Sequence, residues 1–225
     1  MPIKKPQNGA GGQWGNEMRK ISAQTIPSAY AQIMREIKDR IASAMAAQQA
    51  AGTAIGTPSS YFQCEYCYLQ IRRCCELVAL AVLVAHQEIE DYGTNHFLEA
   101  WNAGELFKKL NRLSEQAFPQ PVKEGPQNEE GYATLRLTTK IADNRDRIVK
   151  MYADCGDKMH AGSLKGLLKH GSKKYDIDNL KKMLTFMVNL LKYHIVVLPD
   201  MTLMTRMMSP VDGSVECIFV EHKPI

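Results

Sequence analysis

The stretch Leu77-Val78-Ala79-Leu80-Ala81-Val82-Leu83-Val84-Ala85 carries no polar side chain. Wound as a helix it is apolar on every side, so neighbours are expected to cover it all round. It therefore reads as the core helix of the chain, running from Ser60 to Asp91. Pro58-Ser59-Ser60 precedes Tyr61, and Ser60 with Gln63 three residues on has the form of a capping box, while Gly93 supplies the stop. At 1.5 Å per residue such a helix is a rod of about 45 Å, enough to run the length of a small domain.

Charge sits immediately before the apolar run. Glu65, Arg72 and Glu76 are spaced by seven and four and share one stripe of the helix, with Arg73 beside them. Charge next to a buried run must be paired or lead to a site.

The totals bound the class. A chain of 225 residues with 45% hydrophobic content can bury a real core, and its longest apolar run is far short of the ~20 residues that span a bilayer. No charged-then-apolar leader with a small-residue cleavage site is present, and the expectation is a soluble, cytoplasmic protein without a membrane partner. Four of the six cysteines fall within the core helix, where pairs along one helix do not reach bridge geometry, so reduced thiols are expected. Lys4, Lys5, Arg19 and Lys20 against Glu17 place most of the net charge of +4 in residues 1–24, leaving the remainder nearly neutral. A charge balance of that kind does not announce a nucleic-acid binder.

Around the core helix the pattern predicts three parts. Residues 1–24, with Asn8-Gly9-Ala10-Gly11-Gly12 and no periodicity, read as a flexible basic arm. Residues 25–192 read as a helical bundle. Its first helix starts at Ser28 and carries Tyr30, Ile33, Met34, Ile37, Ile41, Ala44 and Met45 on one face, ending near Gly52; a turn from Ala51 to Pro58 then makes an antiparallel pair with the core helix. Short helical pieces are expected from His96 to Trp101 and from Asn102 to Leu113, followed by extended Phe118-Pro119-Gln120-Pro121 and a polar surface loop to Gly131 that divides the chain in two. Ala133 to Thr139 reads as a short strand or an extended lead-in. A helix over Asn144 to His160 has Ile148, Met151, Tyr152 and Cys155 on its apolar side, and a last helix, capped by Asp176 or Asp178, runs through Leu180, Met183, Leu184, Met187, Leu190 and Leu191.

Residues 193–225 change period. His194 to Leu198, Thr202 to Met208 and Val215 to Val220 are strand-like runs separated by Pro199-Asp200 and Pro210-Val211-Asp212-Gly213. They predict a three-stranded antiparallel meander lying on the helices or on a second subunit through Met204, Ile218 and Val220.

Few familiar catalytic signatures occur. Cys64-x-x-Cys67 invites a metal reading, but Cys74 and Cys75 lie about 10 Å or more further along the helix, too far for one zinc, and buried cysteine is a common small hydrophobe. No metal and no cofactor is expected. Gly-x-Ser-x-Gly, Walker-type and His-Glu-x-x-His runs are all missing from the sequence. What remains is Tyr152-Ala153-Asp154-Cys155-Gly156-Asp157-Lys158-Met159-His160. Gly156 within a helical pattern costs about 1 kcal/mol against Ala, so it either ends the helix early or lets something approach the backbone closely. Asp157 and His160 are three apart and can meet on one face, as a general acid/base pair or as an ordinary hydrogen bond at a helix end. Lys165, Lys169 and Lys173, with Lys174 and His170 beside them, form either a ridge for phosphates or a solvated face.

Arg72-x-x-x-Glu76, Trp101-Asn102-Ala103, Phe118-Pro-x-Pro121, Cys155-Gly-Asp-x-x-His160-Ala161 and a terminal strand meander together resemble a group of uncharacterised bacterial helical proteins over most of residues 60–222. More distantly, a helical bundle with His-Ala at the end of a late helix is similar to the HEPN superfamily. That family includes toxin and defence ribonucleases, which dimerise and place an Arg-x(4–6)-His motif at the dimer cleft. His160 matches the family's His. The Arg is not matched, because Ala153, Asp154 and Cys155 occupy the allowed positions.

The resemblance implies a mainly α homodimer that interacts with RNA. His160 would act as acid/base, Arg72 or Arg73 would supply the phosphate clamp with Glu76 orienting it, and Asp157 would lie beside His160. The alternative is a non-catalytic protein that binds a protein partner or itself.

Overall fold

The computed structural model describes residues 25–86, 118–127, 133–160 and 175–221. Among the described residues four helices and five strands make a mainly α molecule whose antiparallel sheet is completed at the C-terminal end. One hydrophobic core joins the helices to the sheet's inner face. Among the described residues no helix is long and apolar enough to cross a membrane.

Helix α1 spans Ile26–Thr53, with Pro27 in its first turn, where the missing N–H costs nothing. Tyr30, Met34, Ile37, Ile41 and Ala44 are buried along one stripe, whereas Met45 at its margin is exposed. The chain then turns through Gly56, whose φ of 85° lies in the region that favours glycine. Helix α2, Pro58–His86, returns antiparallel and packs on α1. It begins earlier than the Ser60–Gln63 pattern predicts. Thr57 Oγ1 accepts the Ser60 N–H at 3.3 Å and Pro58 is the first helical residue, while the Ser60 hydroxyl donates to the Ala51 carbonyl at 2.9 Å. Ser60 is thus a tie between helices rather than a cap. Small side chains let α1 and α2 approach: Cys67 Sγ reaches the Ala44 carbonyl at 3.3 Å.

The apolar run is not covered all round. Val78, Ala79, Ala81, Val82 and Ala85 are buried, but Leu80 is 44% exposed and Leu77, Leu83 and Val84 are half-buried. Helix α3, Ile141–Met159, packs on α2 through Ile148, Met151 and Cys155. Helix α4, Ile177–Leu191, buries all six of its expected apolar residues. Its cap is Asp176, whose carboxylate accepts the Asn179 N–H at 2.9 Å.

Strands β1 (Gln120–Gln127), β2 (Ala133–Leu137), β3 (Tyr193–Val197), β4 (Met201–Arg206) and β5 (Glu216–Glu221) form one sheet in the order β2-β1-β3-β4-β5. The predicted meander is present as β3-β4-β5, but it is part of a larger sheet. The polar stretch expected to be a surface loop instead begins as β1, which pairs with β2 and, through Gln120↔Ile195 and Pro121↔His194, with β3. Mid-chain and C-terminal segments are therefore sewn together rather than divided. Pro121 removes a ladder donor, and the Thr138 N–H and hydroxyl both donate to its carbonyl, at 3.0 and 3.1 Å.

The face expected to lie on the helices or on a second subunit is not the one that lies on the helices. His194, Val196, Leu203 and Thr205 are buried, with Cys217 and Phe219 packed against the core, whereas Ile218 and Val220 are 50% and 42% exposed and Met204 is half-buried. Met204 pairs with Ile218 and Thr202 with Val220, so one phase of the two-residue repeat faces out across both strands. Both phases of Cys217-Ile218-Phe219-Val220 are apolar, and pattern alone does not choose between them.

The expected helical pieces between residues 96 and 113, the arm at residues 1–24 and the end of the core helix beyond His86 lie outside the described residues.

Candidate functional site

Where α2 crosses α3, a guanidinium lies on a glycine. Arg72 stands on the α2 face turned to α3, and its Nη1 would be 2.6 Å from a β-carbon placed on Gly156. Gly156 is buried and the helix continues past it to Met159. Of the two explanations for a glycine there, close approach to the backbone is the one observed.

Tyr152, one turn earlier, holds the same group. Arg72 Nη2 donates to the Tyr152 hydroxyl at 2.6 Å, Nη1 donates to the Tyr152 carbonyl at 3.4 Å, and the guanidinium carbon lies 3.9 Å from the ring centroid. A cation over an aromatic face with hydrogen bonds at its rim has its orientation set from two directions. The third direction is Glu76, whose Oε1 is 3.5 Å from Arg72 Nε. The other oxygen of Glu76 takes the Arg73 guanidinium at 2.8 Å.

Arg73 and Arg72 therefore share a carboxylate but not a position. Successive residues on a helix point about 100° apart, so only Arg72 reaches α3, and Arg73 is mostly in solvent. Glu65, on the same stripe by spacing, is engaged elsewhere, accepting the Tyr175 hydroxyl at 2.6 Å.

His160 ends α3. Its backbone N–H donates to the Gly156 carbonyl at 3.1 Å, and its residue is exposed, as is Asp157. Tyr152, Gly156 and His160 recur every four residues, so they form one stripe of α3, and His160 lies about 6 Å along the axis from the glycine that Arg72 touches. Among the described residues no hydrogen bond or ion pair joins Arg72 to His160. Lys165, Lys169, Lys173 and Lys174 lie outside the described residues.

Tyr152 packs against the core, as its place on the apolar side of the helix predicts, and its second role, holding Arg72, is the one the sequence reading missed. The signal that identifies it is the four-residue step to Gly156: an aromatic one turn before a buried glycine makes a floor and a wall for an incoming cation.

The thiols are unsuited to nucleophilic work. Burial pushes Cys67, Cys74 and Cys155 up to about 12 and Cys75 well above its ordinary value, so thiolate is scarce at neutral pH. Among the described residues no group of three or more His, Cys, Asp or Glu side chains is gathered to hold a metal.

A second buried polar pair is structural. His194 Nδ1–H donates to the Leu191 carbonyl at 2.8 Å, which fixes the tautomer, and Nε2 accepts the Tyr30 hydroxyl at 2.8 Å. Both side chains are fully buried, and burial holds the imidazole down at about 4.

Compared with protein-family models, with curated proteins and with solved structures, the chain matches none.

Proposed function

We propose that the chain is a HEPN-like, cytoplasmic RNA-interacting protein that cleaves RNA without a metal ion, with Arg72 as phosphate clamp and His160 as the acid/base group. The observation carrying this reading is the seating of the Arg72 guanidinium on Gly156, one helical turn before an exposed histidine. The HEPN-type motif lacks its in-line arginine here, and Arg72 brings a guanidinium to the same helix end from α2. The chemistry asked of the pair is modest. The imidazole takes the proton of a 2′-hydroxyl, whose oxygen attacks the adjacent phosphorus. Arg72 stabilises the charge on the phosphorane, and the departing 5′-oxygen takes a proton back, leaving a 2′,3′-cyclic phosphate. The lysines at 165, 169, 173 and 174 would extend the phosphate track, and Asp157 would orient the imidazole.

The test is cleavage and binding of single-stranded RNA in EDTA at low salt by wild type and by His160→Ala. Loss of an acid/base group removes about 100-fold or more in rate. The expected result is that loss at unchanged melting temperature with RNA binding retained. Absence of RNA binding by the wild type overturns the reading.

A second reading, a non-catalytic self-associating protein, is favoured by Ile218 and Val220, exposed on β5 at the end of the sheet. Among the described residues β5 pairs on one side only, and an edge strand with exposed apolar side chains is a template for a second copy. The homodimer it implies is tested by light scattering of wild type beside Ile218→Lys/Val220→Lys. A dimer that becomes a monomer supports it, and a monomeric wild type sinks it.

A further inference from the structure

The geometry points to a second ligand site, unrelated to the Arg72 cluster: the groove of about 950 Å³ between α1, the end of α4 and strands β1, β3 and β4 binds a single-chain aliphatic carboxylate. Its floor is apolar, formed by Ile41 and Met45 from α1, Val188 and Leu191 from α4, and Met207 after β4. That volume is at the upper end of small-molecule sites, and thioether side chains adjust to a flexible tail.

The edge of the groove is cationic. Four of the lining side chains, Lys38, Lys123, Lys192 and Arg206, are basic, and Glu124 is the single acid among them. Glu124 is matched already, by an ion pair to Arg206, whose guanidinium lies 4.8 Å from the centroid of the Tyr193 ring. The Lys38 amine donates to the Gly213 carbonyl at 2.6 Å. Lys123 and Lys192 are exposed, and among the described residues neither carries an ion pair.

An apolar trough bordered by two unmatched ammonium groups complements an anion with a hydrocarbon tail. The floor offers few hydrogen-bonding groups to a nucleobase. A peptide helix is about 10 Å across, so the groove would take roughly two turns of one, short of the i to i+7 anchoring that helix-in-groove recognition uses. Because the site is concave between a helix and a sheet, it suits one free chain rather than a bilayer surface.

The test is calorimetric titration of the full chain at pH 8 with laurate and with dodecyltrimethylammonium, which share a tail and differ in headgroup charge. Two variants accompany it. Ala42 is exposed on α1 and lines the groove, so Ala42→Trp fills it, and Lys123→Glu/Lys192→Glu reverses its edge. Saturable binding of laurate in preference to the cation is expected. Ala42→Trp should weaken it about tenfold or more, and the charge reversal should invert the headgroup preference. Absence of saturable laurate binding, equal affinity for both heads, or binding indifferent to the charge reversal overturns the inference. So does binding confined to phosphatidylglycerol vesicles, or captured only by an acidic amphipathic peptide. The lysines are exposed, so the charge arm decides the matter even if the tryptophan variant fails to fold.

Discussion

Two histidines of this molecule sit in opposite surroundings. His194 is sealed between α1, α4 and β3 with both ring nitrogens committed, while His160 stands exposed at the end of α3. Each lies just beyond a helix that buries an apolar stripe, His160 after α3 and His194 in β3 after α4. Burial separates them. A fully enclosed imidazole with a tyrosine hydroxyl on one side and a carbonyl on the other holds the fold and resists protonation, whereas an exposed one is satisfied by water and the fold depends little on it. The same contrast holds for the cations of α2. Arg72 is oriented by Tyr152 and Glu76, and Arg73 is largely in water.

The largest effect that would sharpen the contrast is the pH dependence of stability. Unfolded, His194 takes up its proton near 6.5, and folded it does so at about 4. Between those values the unfolded state binds more protons, so the contribution is fully present above pH 6.5 and is lost as the pH falls through 4, by about 3 kcal/mol in all. His86, buried and likewise lowered, acts in the same direction. Urea melts at pH 7 and pH 4.5 check this, and a Tyr30→Phe variant checks the cause. Removing the hydroxyl leaves Nε2 a buried acceptor with no donor and should cost about 1–3 kcal/mol at pH 7. Equal stability of that variant would break the assignment of His194 as structural.

Smaller effects separate the candidate site from the fold. Arg72→Leu loses the ring contact and two hydrogen bonds at the α2–α3 crossing, and a loss of about 1–2 kcal/mol is expected by thermal denaturation, together with loss of RNA binding. His160→Ala, on the surface, should stay within about 0.5 kcal/mol of wild type. Gly156→Ala is expected to move stability least. The helix gains about 1 kcal/mol of propensity, offset by displacement of the Arg72 end group, which is the flexible end of its side chain. Under the proposed RNA-cleaving function its consequence is a lower RNA affinity and rate, because the guanidinium can no longer rest on the backbone. Unchanged activity in Gly156→Ala would break the link between that seat and the site.

Much of the helical part was legible. The stripes of α1 and α4 predict their buried residues closely, because an amphipathic helix needs only a partner surface of some kind to define its inner face. The sheet was less so. β1 carries Pro121, Gly125 and Pro126 and a polar composition, and it is a strand because it has β2 and β3 to pair with. β5 offers apolar residues in both phases, and the choice between them was made by packing.

The candidate site divides in the same way. Gly156 in a helical pattern and Arg72-x-x-x-Glu76 were visible in the sequence, and close approach to the glycine was one of the two explanations open there. Which group approaches is a matter of two helices 80 residues apart in the chain and crossing at one point, so that Arg72 rather than Arg73 finds Tyr152. Sequence by itself determined the four described helices, the Asp176 cap and the strands of the meander, since these depend on local periodicity and backbone preference. Tertiary structure alone decided the sheet order, the inward face of β4 and β5, the groove beside α1 and the meeting of Arg72 with α3, because each is set by which surfaces exclude water from one another.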